Sequence, residues 1–280
     1  MADDAAWRET SEGFRRYLRT RGRSLDTATT YAAHLRPFWT WAQRHDFTLL
    51  QARPMDCELY LDDQLTRLSA STAHVRLSAL KAFFVWMMEE GEINGSPAAA
   101  LTVRKDKREP RPPQSDFDVA RLMRACKTDE ERLLFIVGFG CGLRISELVN
   151  LDMSRIFIDT GRMLIKGKGR KERWIAAPPP VLNAIRNYMG VRRGPLFPMR
   201  REQARRIMQR IARNAGVEGF YPHRMRITFA TRFWKQTNNL KALRTLMGHS
   251  DLSTTAQYAD YDTQEEALDL MRGLKLGGVA

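Results

Sequence analysis

Long apolar runs are missing from this chain of 280 residues. No segment approaches the roughly 18–20 consecutive apolar residues of a membrane-spanning helix, so no membrane partner is expected. The segment Met1-Ala2-Asp3-Asp4-Ala5-Ala6-Trp7 is acidic and poor in apolar side chains, the wrong composition for a secretory signal. Cysteine is scarce. Cys57, Cys126 and Cys141 are widely spaced, which argues against a disulfide framework or a thiolate metal site and fits reduced thiols in a cytoplasmic setting. No carboxylate cluster of the kind a metal-dependent nuclease needs is evident. Acid is also in short supply, with 32 Asp+Glu against 46 Lys+Arg.

The resulting net charge of +14 points to a polyanionic partner. The excess is uneven. Residues 1–114 hold 17 Lys+Arg and 15 Asp+Glu, whereas residues 115–280 hold 29 and 17. The hydrophobic fraction of 43% is enough for real cores, and the length allows one large domain or two of ordinary size.

Residues 104–114, Arg-Lys-Asp-Lys-Arg-Glu-Pro-Arg-Pro-Pro-Gln, are charged and proline-rich, and read as an extended linker. Before it, apolar residues at helical spacing predict four helices over 5–21, 26–45, 55–66 and 71–90, with Asp26 as a candidate N-cap. Their aromatic residues are expected to form the core of a domain over 1–103. Thr27, Thr29, Thr30, Ser71, Thr72, His74, Arg76 and Lys81 are candidate phosphate contacts on its surface.

After the linker, helices are predicted over 116–126 and 129–141, with another starting near Arg144. Short apolar runs around Asp159-Thr160-Gly161 and Gly167-Lys168-Gly169-Arg170 predict a three-stranded antiparallel sheet within 155–176. Further helices are expected from Pro178–Pro180 through Tyr188, and over 201–214, 223–237, 240–247, 252–258 and 263–273. The fold class is therefore mainly α with a small antiparallel β-sheet.

The segment Gly248-His249-Ser250-Asp251-Leu252-Ser253-Thr254-Thr255-Ala256-Gln257-Tyr258 puts a tyrosine nine residues after a histidine. A phenol titrates near pH about 10, so Tyr258 needs cations and a proton acceptor nearby to act as a nucleophile. The chain offers them in four motifs. Arg144 and Glu147 lie in Gly142-Leu143-Arg144-Ile145-Ser146-Glu147-Leu148, where a helix start would also favour an anion. Lys168 sits between two glycines at a tight turn. His223 and Arg226 are one helical turn apart, and His249 precedes the tyrosine. Arginines suit the nonbridging oxygens of a phosphodiester because they are planar, bidentate and always charged. The two histidines have no third soft ligand at metal spacing. Eight arginines face a single acid, Glu202, over 192–213. Among them, Arg201, Arg205, Arg206, Arg210 and Arg213 would line the outer face of a helix, as candidates for DNA contact.

Taken together, these motifs resemble the tyrosine recombinase (phage integrase) family, most like its Xer-type simple-site branch. The resemblance covers about 115–272 by motif order, and 1–103 by helical pattern alone. It implies a helical core-binding, SAM-like domain over 1–103, a linker over 104–114 and a catalytic domain with a C-terminal helix over 115–280. It implies that Arg144, Lys168, His223, Arg226, His249 and Tyr258 are catalytic, with Tyr258 the nucleophile and Glu147 orienting a neighbouring histidine or arginine. One position departs from the pattern: Ile227 stands where the family often has histidine.

The activity so implied is site-specific DNA recombination through a 3′-phosphotyrosyl intermediate. One ester replaces another, so no cofactor, ATP or metal is expected. The implied partners are a double-stranded recombination site and three further copies of the chain, forming a tetramer on two sites. An accessory or activating protein is left open, as is service to a mobile element. A nucleoid-associated, cytoplasmic location would follow. Two other readings stand beside it. A type IB topoisomerase shares the arginine–lysine–histidine–tyrosine chemistry, and a DNA-binding protein without catalysis would show gaps in the motif set.

Overall fold

The computed structural model describes residues 2–104, 112–167, 172–190 and 193–248. Lys168, His249, Tyr258 and the helices expected over 252–258 and 263–273 lie outside the described residues, as do linker residues 105–111. The chain divides into two compact units between Arg108 and Glu109. No described helix is long and apolar enough to cross a membrane.

The first unit is four helices: α1 (Ala2–Thr20), α2 (Leu25–Arg44), α3 (Pro54–Arg67) and α4 (Ala70–Glu89). Ser24 caps α2, its hydroxyl accepting from the Thr27 amide. Asp26, the candidate cap, instead sits in the first turn, where its charge complements the helix dipole. Pro54 occupies the start of α3, where a missing N–H costs nothing. As the spacing predicts, aromatic residues fill the core. Phe14 meets Phe83 edge-on at 5.7 Å and stacks on Trp86 at 5.8 Å. Phe38 meets Tyr60 edge-on at 4.9 Å. Such pairs hold ring geometry as well as bury area.

The second unit is built around α6 (Asp129–Cys141), which follows α5 (Asp116–Ala125). Thr128 caps α6 through its hydroxyl, and Asp129, Glu130 and Glu131 occupy its first turn. Leu133, Leu134, Phe135 and Val137 of α6 are buried at the centre of this unit's core. Gly138 has no side chain because α10 comes too close. A Cβ there would lie 2.6 Å from Met225 Sδ. Beyond α6 come α7 (Ile145–Val149), the sheet, α8 (Pro179–Met189), α9 (Arg201–Asn214), α10 (His223–Thr237) and α11 (Leu240–Met247).

The sheet has the predicted antiparallel order, β1 (Ile156–Phe157), β2 (Arg162–Lys166), β3 (Glu172–Ala176). Met163 and Ile165 face the core, paired with Ile175 and Arg173 respectively. The opposite face carries Trp174, 52% exposed, against the exposed Phe157 at 5.4 Å. β1 is shorter than its apolar run: Ile158 already belongs to the turn at Gly161. All three cysteines are free and buried, and burial pushes the thiols of Cys57 and Cys141 up to about 12 and that of Cys126 to about 11. They are inert at neutral pH.

Candidate active site

The site starts from a left-handed turn. α6 ends at Gly142, with φ +60°. Phe229 of α10 closes over that glycine, 2.3 Å from where a Cβ would stand. The chain therefore leaves α6 tightly against α10 and delivers Arg144 as the N-cap residue of α7.

Arg144 does not offer a free helix start to an anion. α7 is only five residues long, and the Arg144 amide is already taken by Glu147 Oε2 at 3.0 Å. The carboxylate of the same turn thus occupies the place expected for phosphate, as a capping-box glutamate does. The guanidinium of Arg144 remains 41% exposed. It donates from Nη1 to Glu147 Oε1 at 3.0 Å and to the Met247 carbonyl oxygen at 3.5 Å.

Arg226 lies one turn into α10 and is 1% exposed. Its Nη1 donates to the Gly142 carbonyl oxygen at 2.8 Å, and its Nη2 donates to the Met247 carbonyl oxygen. Residues 144 and 226, far apart in sequence, thus converge on one acceptor at the end of α11. That acceptor immediately precedes Gly248-His249.

Glu147 is the electrostatic centre of the cluster. Its side chain is 3% exposed. Besides its two bonds from Arg144, it receives Arg173 Nη1 at 2.9 Å and Nη2 at 3.0 Å, and Arg226 Nη1 stands 4.0 Å away. Burial opposes its ionisation, but the hydrogen bonds and charges of Arg173 and Arg144 prevail and hold its carboxyl at about 2. Three guanidinium groups surround this one buried carboxylate, so positive charge predominates around it.

His223 opens α10, one turn from Arg226 on the exposed rim. Partial burial of its ring, and then the charges of Arg226 and Arg144, lower its pKa below the usual 6.5. A neutral imidazole at pH 7 can accept a proton.

The described residues therefore bring together Arg144, Glu147, His223 and Arg226 and add Arg173, which the sequence motifs alone did not single out. A signal was available. Along β3, Glu172, Trp174 and Ala176 alternate with Arg173 and Ile175. An arginine in phase with a core isoleucine requires a buried acid.

The outer face of α9 carries Arg201, Arg205, Arg206, Arg210 and Arg213, all exposed, over buried Ala204, Met208, Ile211 and Ala212. Arg201 contacts Glu202 and Arg210 pairs with Glu131 of α6. In the first unit, Lys81 donates to the Ala99 carbonyl oxygen at 2.8 Å, and His74 and Arg76 are half-buried, while Thr29, Thr30 and Ser71 are exposed.

The described residues thus set an arginine cluster around a buried carboxylate, with a histidine at its rim, on a mainly helical scaffold. The chain belongs to the phage integrase family: the family profile matches residues 115–265, and the family's N-terminal SAM-like domain matches residues 12–91. Among curated relatives, the tyrosine recombinase XerC of Salmonella typhi is 33% identical over 218 residues, covering 71% of this chain and 72% of the relative. Two solved structures share the fold at lower identity. One is the XerH site-specific recombinase bound to a palindromic difH substrate in a post-cleavage complex. Its TM-score is 0.73 at 21% identity, over 94% of this chain and 85% of that one. The other is a lambda integrase tetramer bound to a Holliday junction, with TM-score 0.70 at 19% identity, over 90% and 76%.

Proposed function

We propose that this chain is a site-specific tyrosine recombinase, with Tyr258 as nucleophile and Arg144, Lys168, His223, Arg226 and His249 as its catalytic partners. Tyr258 Oη attacks the scissile phosphorus, and the bond to the 5′ oxygen breaks. The tyrosine proton passes to neutral His223, and Lys168 protonates the departing 5′ oxygen. Arg144, Arg226 and His249 bear the charge that develops on the nonbridging oxygens. The 5′-hydroxyl of a partner strand then attacks the 3′-phosphotyrosyl ester and restores the tyrosine.

The observation that carries this reading is the convergence of Arg144 and Arg226 on a single acceptor, the Met247 carbonyl, at the threshold of Gly248-His249. Two guanidinium groups that can share one oxygen have the spacing a phosphate needs.

Exposed arginines of α9 supply phosphate contacts along the duplex, with Arg205, Arg206 and Arg213 better placed than Arg201 and Arg210, which pair with Glu202 and Glu131. Four protomers pair two sites, a stoichiometry in line with the lambda integrase tetramer bound to a Holliday junction. A location on the nucleoid completes the proposal.

The test is a nicked suicide duplex carrying the chain's own site, run with wild type and Tyr258→Phe. A covalent adduct through the 3′ phosphate with wild type alone is the expected result. Equal adduct from both proteins would remove Tyr258 from its role.

A further inference from the structure

The reaction as written leaves one arginine of the site without a task. Arg173 stands on β3 beside Ile165, with its side chain only 16% exposed. It reaches both oxygens of Glu147, at 2.9 and 3.0 Å, and its Nε donates to the Leu246 carbonyl oxygen at 3.0 Å. Its stem passes over Gly248, where a Cβ would lie 3.1 Å from Arg173 Cδ.

We propose that Arg173 is a positioning residue for strand transfer. It neutralises Glu147 in a closed two-point pair, so that Arg144 and Arg226 keep their charge for the scissile phosphate. The proposal rests on the phosphate-binding role given to those two arginines above.

A carboxylate as buried as Glu147 must be matched by a cation. Three compete for it. Arg173 engages both oxygens, whereas Arg144 spends only Nη1 and Arg226 stays at 4.0 Å. Without Arg173, the unmatched carboxylate pulls on the other two. Arg226 needs to move by only about 1 Å to form a charge-assisted hydrogen bond of ordinary length. Both phosphate ligands would then be drawn toward Glu147.

Arg173 also has a second grip. Through Leu246 it ties β3, which follows Lys168 in sequence, to the last turn of α11, which His249 follows in sequence. Arg173 thus joins the Glu147 carboxylate and the end of α11 through one side chain. Lysine cannot reproduce this, because one ammonium lacks the planar fork that serves two carboxylate oxygens and a carbonyl at once.

The experiment uses the full chain and a nicked duplex bearing the site that wild type selects from a random duplex library. Wild type, Arg173→Met, Arg173→Lys, Glu147→Gln and the double variant Arg173→Met/Glu147→Gln are compared. Two quantities are read: the dissociation constant for the intact duplex, and the single-turnover rate of adduct formation. Arg173→Met is expected to bind within about threefold of wild type and to form adduct on the order of 10²-fold more slowly, the loss typical of a disturbed oxyanion ligand. Arg173→Lys is expected to fall between the two. In the double variant no carboxylate remains to be matched, and the rate should recover at least about tenfold over Arg173→Met.

An Arg173→Met rate equal to wild type would overturn the proposal alone. So would a double variant as slow as Arg173→Met, which is the result for a mere structural brace. If Arg173→Met does not fold, the double variant is set against Glu147→Gln: equal rates are expected, and a further tenfold loss would refute the idea. A wild type that selects a site yet forms no adduct would overturn the recombinase reading, and this proposal with it.

Discussion

Arg226 donates to the carbonyl oxygen of Gly142 at 2.8 Å, two residues ahead of Arg144. The bond fixes the distance between the two arginines proposed to hold the phosphate. It also bears on why a buried guanidinium is tolerated: the backbone carbonyls of Gly142 and Met247 accept from its two Nη atoms. Arg226→Lys should lose the simultaneous reach to both carbonyls. Leaving one buried acceptor unmet costs roughly 1–3 kcal/mol. We expect that loss in urea unfolding, together with adduct formation slowed by on the order of 10²–10³-fold. Duplex affinity should change little, because much of it comes from arginines elsewhere. A variant that cleaves at the wild-type rate would remove Arg226 from the transition state.

Glu147 gives the fold an acid-sensitive point. Its folded carboxyl sits near 2 against an ordinary 4.5. A depressed carboxylate pKa stabilises the fold above the unfolded value, and that stability is lost as pH falls from about 4.5 toward about 2. The full contribution is on the order of 3 kcal/mol. Glu147→Gln should flatten this part of the stability curve. At pH 7 it should also cost roughly 3–5 kcal/mol, because three arginines are left without their counter-charge. Denaturant titrations at pH 7, 4.5 and 3 measure both effects. A parallel acid limb in the variant would show that other carboxylates dominate.

His223 should set the acid limb of the reaction. Its pKa is lowered, so the neutral, proton-accepting form persists to below pH 6.5. Cleavage should fall only under that value as the pH is reduced, and His223→Gln should be slow and lack that limb. The same shift makes a small stability contribution that is present above 6.5 and disappears on acidification. Removing the Arg144 charge, in Arg144→Ala, should move the imidazole titration back up toward 6.5. NMR titration of the imidazole resonances, assigned by loss in His223→Gln, reads this directly. An unchanged or lower value would show that Arg144 does not act on the ring.

Where the sequence is periodic, it predicts the structure closely. The helices expected over 129–141, 201–214, 223–237 and 240–247 coincide with α6, α9, α10 and α11. Each has either a defined cap or a strict apolar face, as with Ala204, Met208 and Ile211 beneath the arginines of α9. The ends of α2 and β1 were less legible. Ser24 and Asp26 are both good caps, and only the Thr27 amide decides between them. At β1, three consecutive apolar residues promise a longer strand, but the turn at Gly161 ends it after two. The motifs located Arg144, Glu147, His223 and Arg226 because each carries a recognisable local pattern. Arg173 has none. Its role arises from tertiary contact with a residue 26 positions earlier and a carbonyl 73 positions later. The Met247 carbonyl, as backbone, leaves no mark in the sequence at all.

Gly142 offers a test of how far backbone geometry controls the chemistry. Its φ of +60° is strained for any residue with a side chain, by about 1–2 kcal/mol. An added Cβ would also stand 2.3 Å from Phe229 Cδ1 and 2.7 Å from Phe229 Cγ, inside van der Waals contact. Gly142→Ala must therefore push α10 away from the end of α6. That displacement acts on the bond between Arg226 and the Gly142 carbonyl and on the path into Arg144. The expected result is a lower Tm and a larger relative loss in adduct formation than stability alone would cause. Pairing it with Phe229→Ala, which vacates the ring's space, separates the two contributions. The steric part should be relieved and the conformational part retained. If the pair regains most of the cleavage rate while staying less stable, the packing of α10 on Gly142 governs the alignment of the two arginines. If it regains none, the left-handed turn itself is what places Arg144.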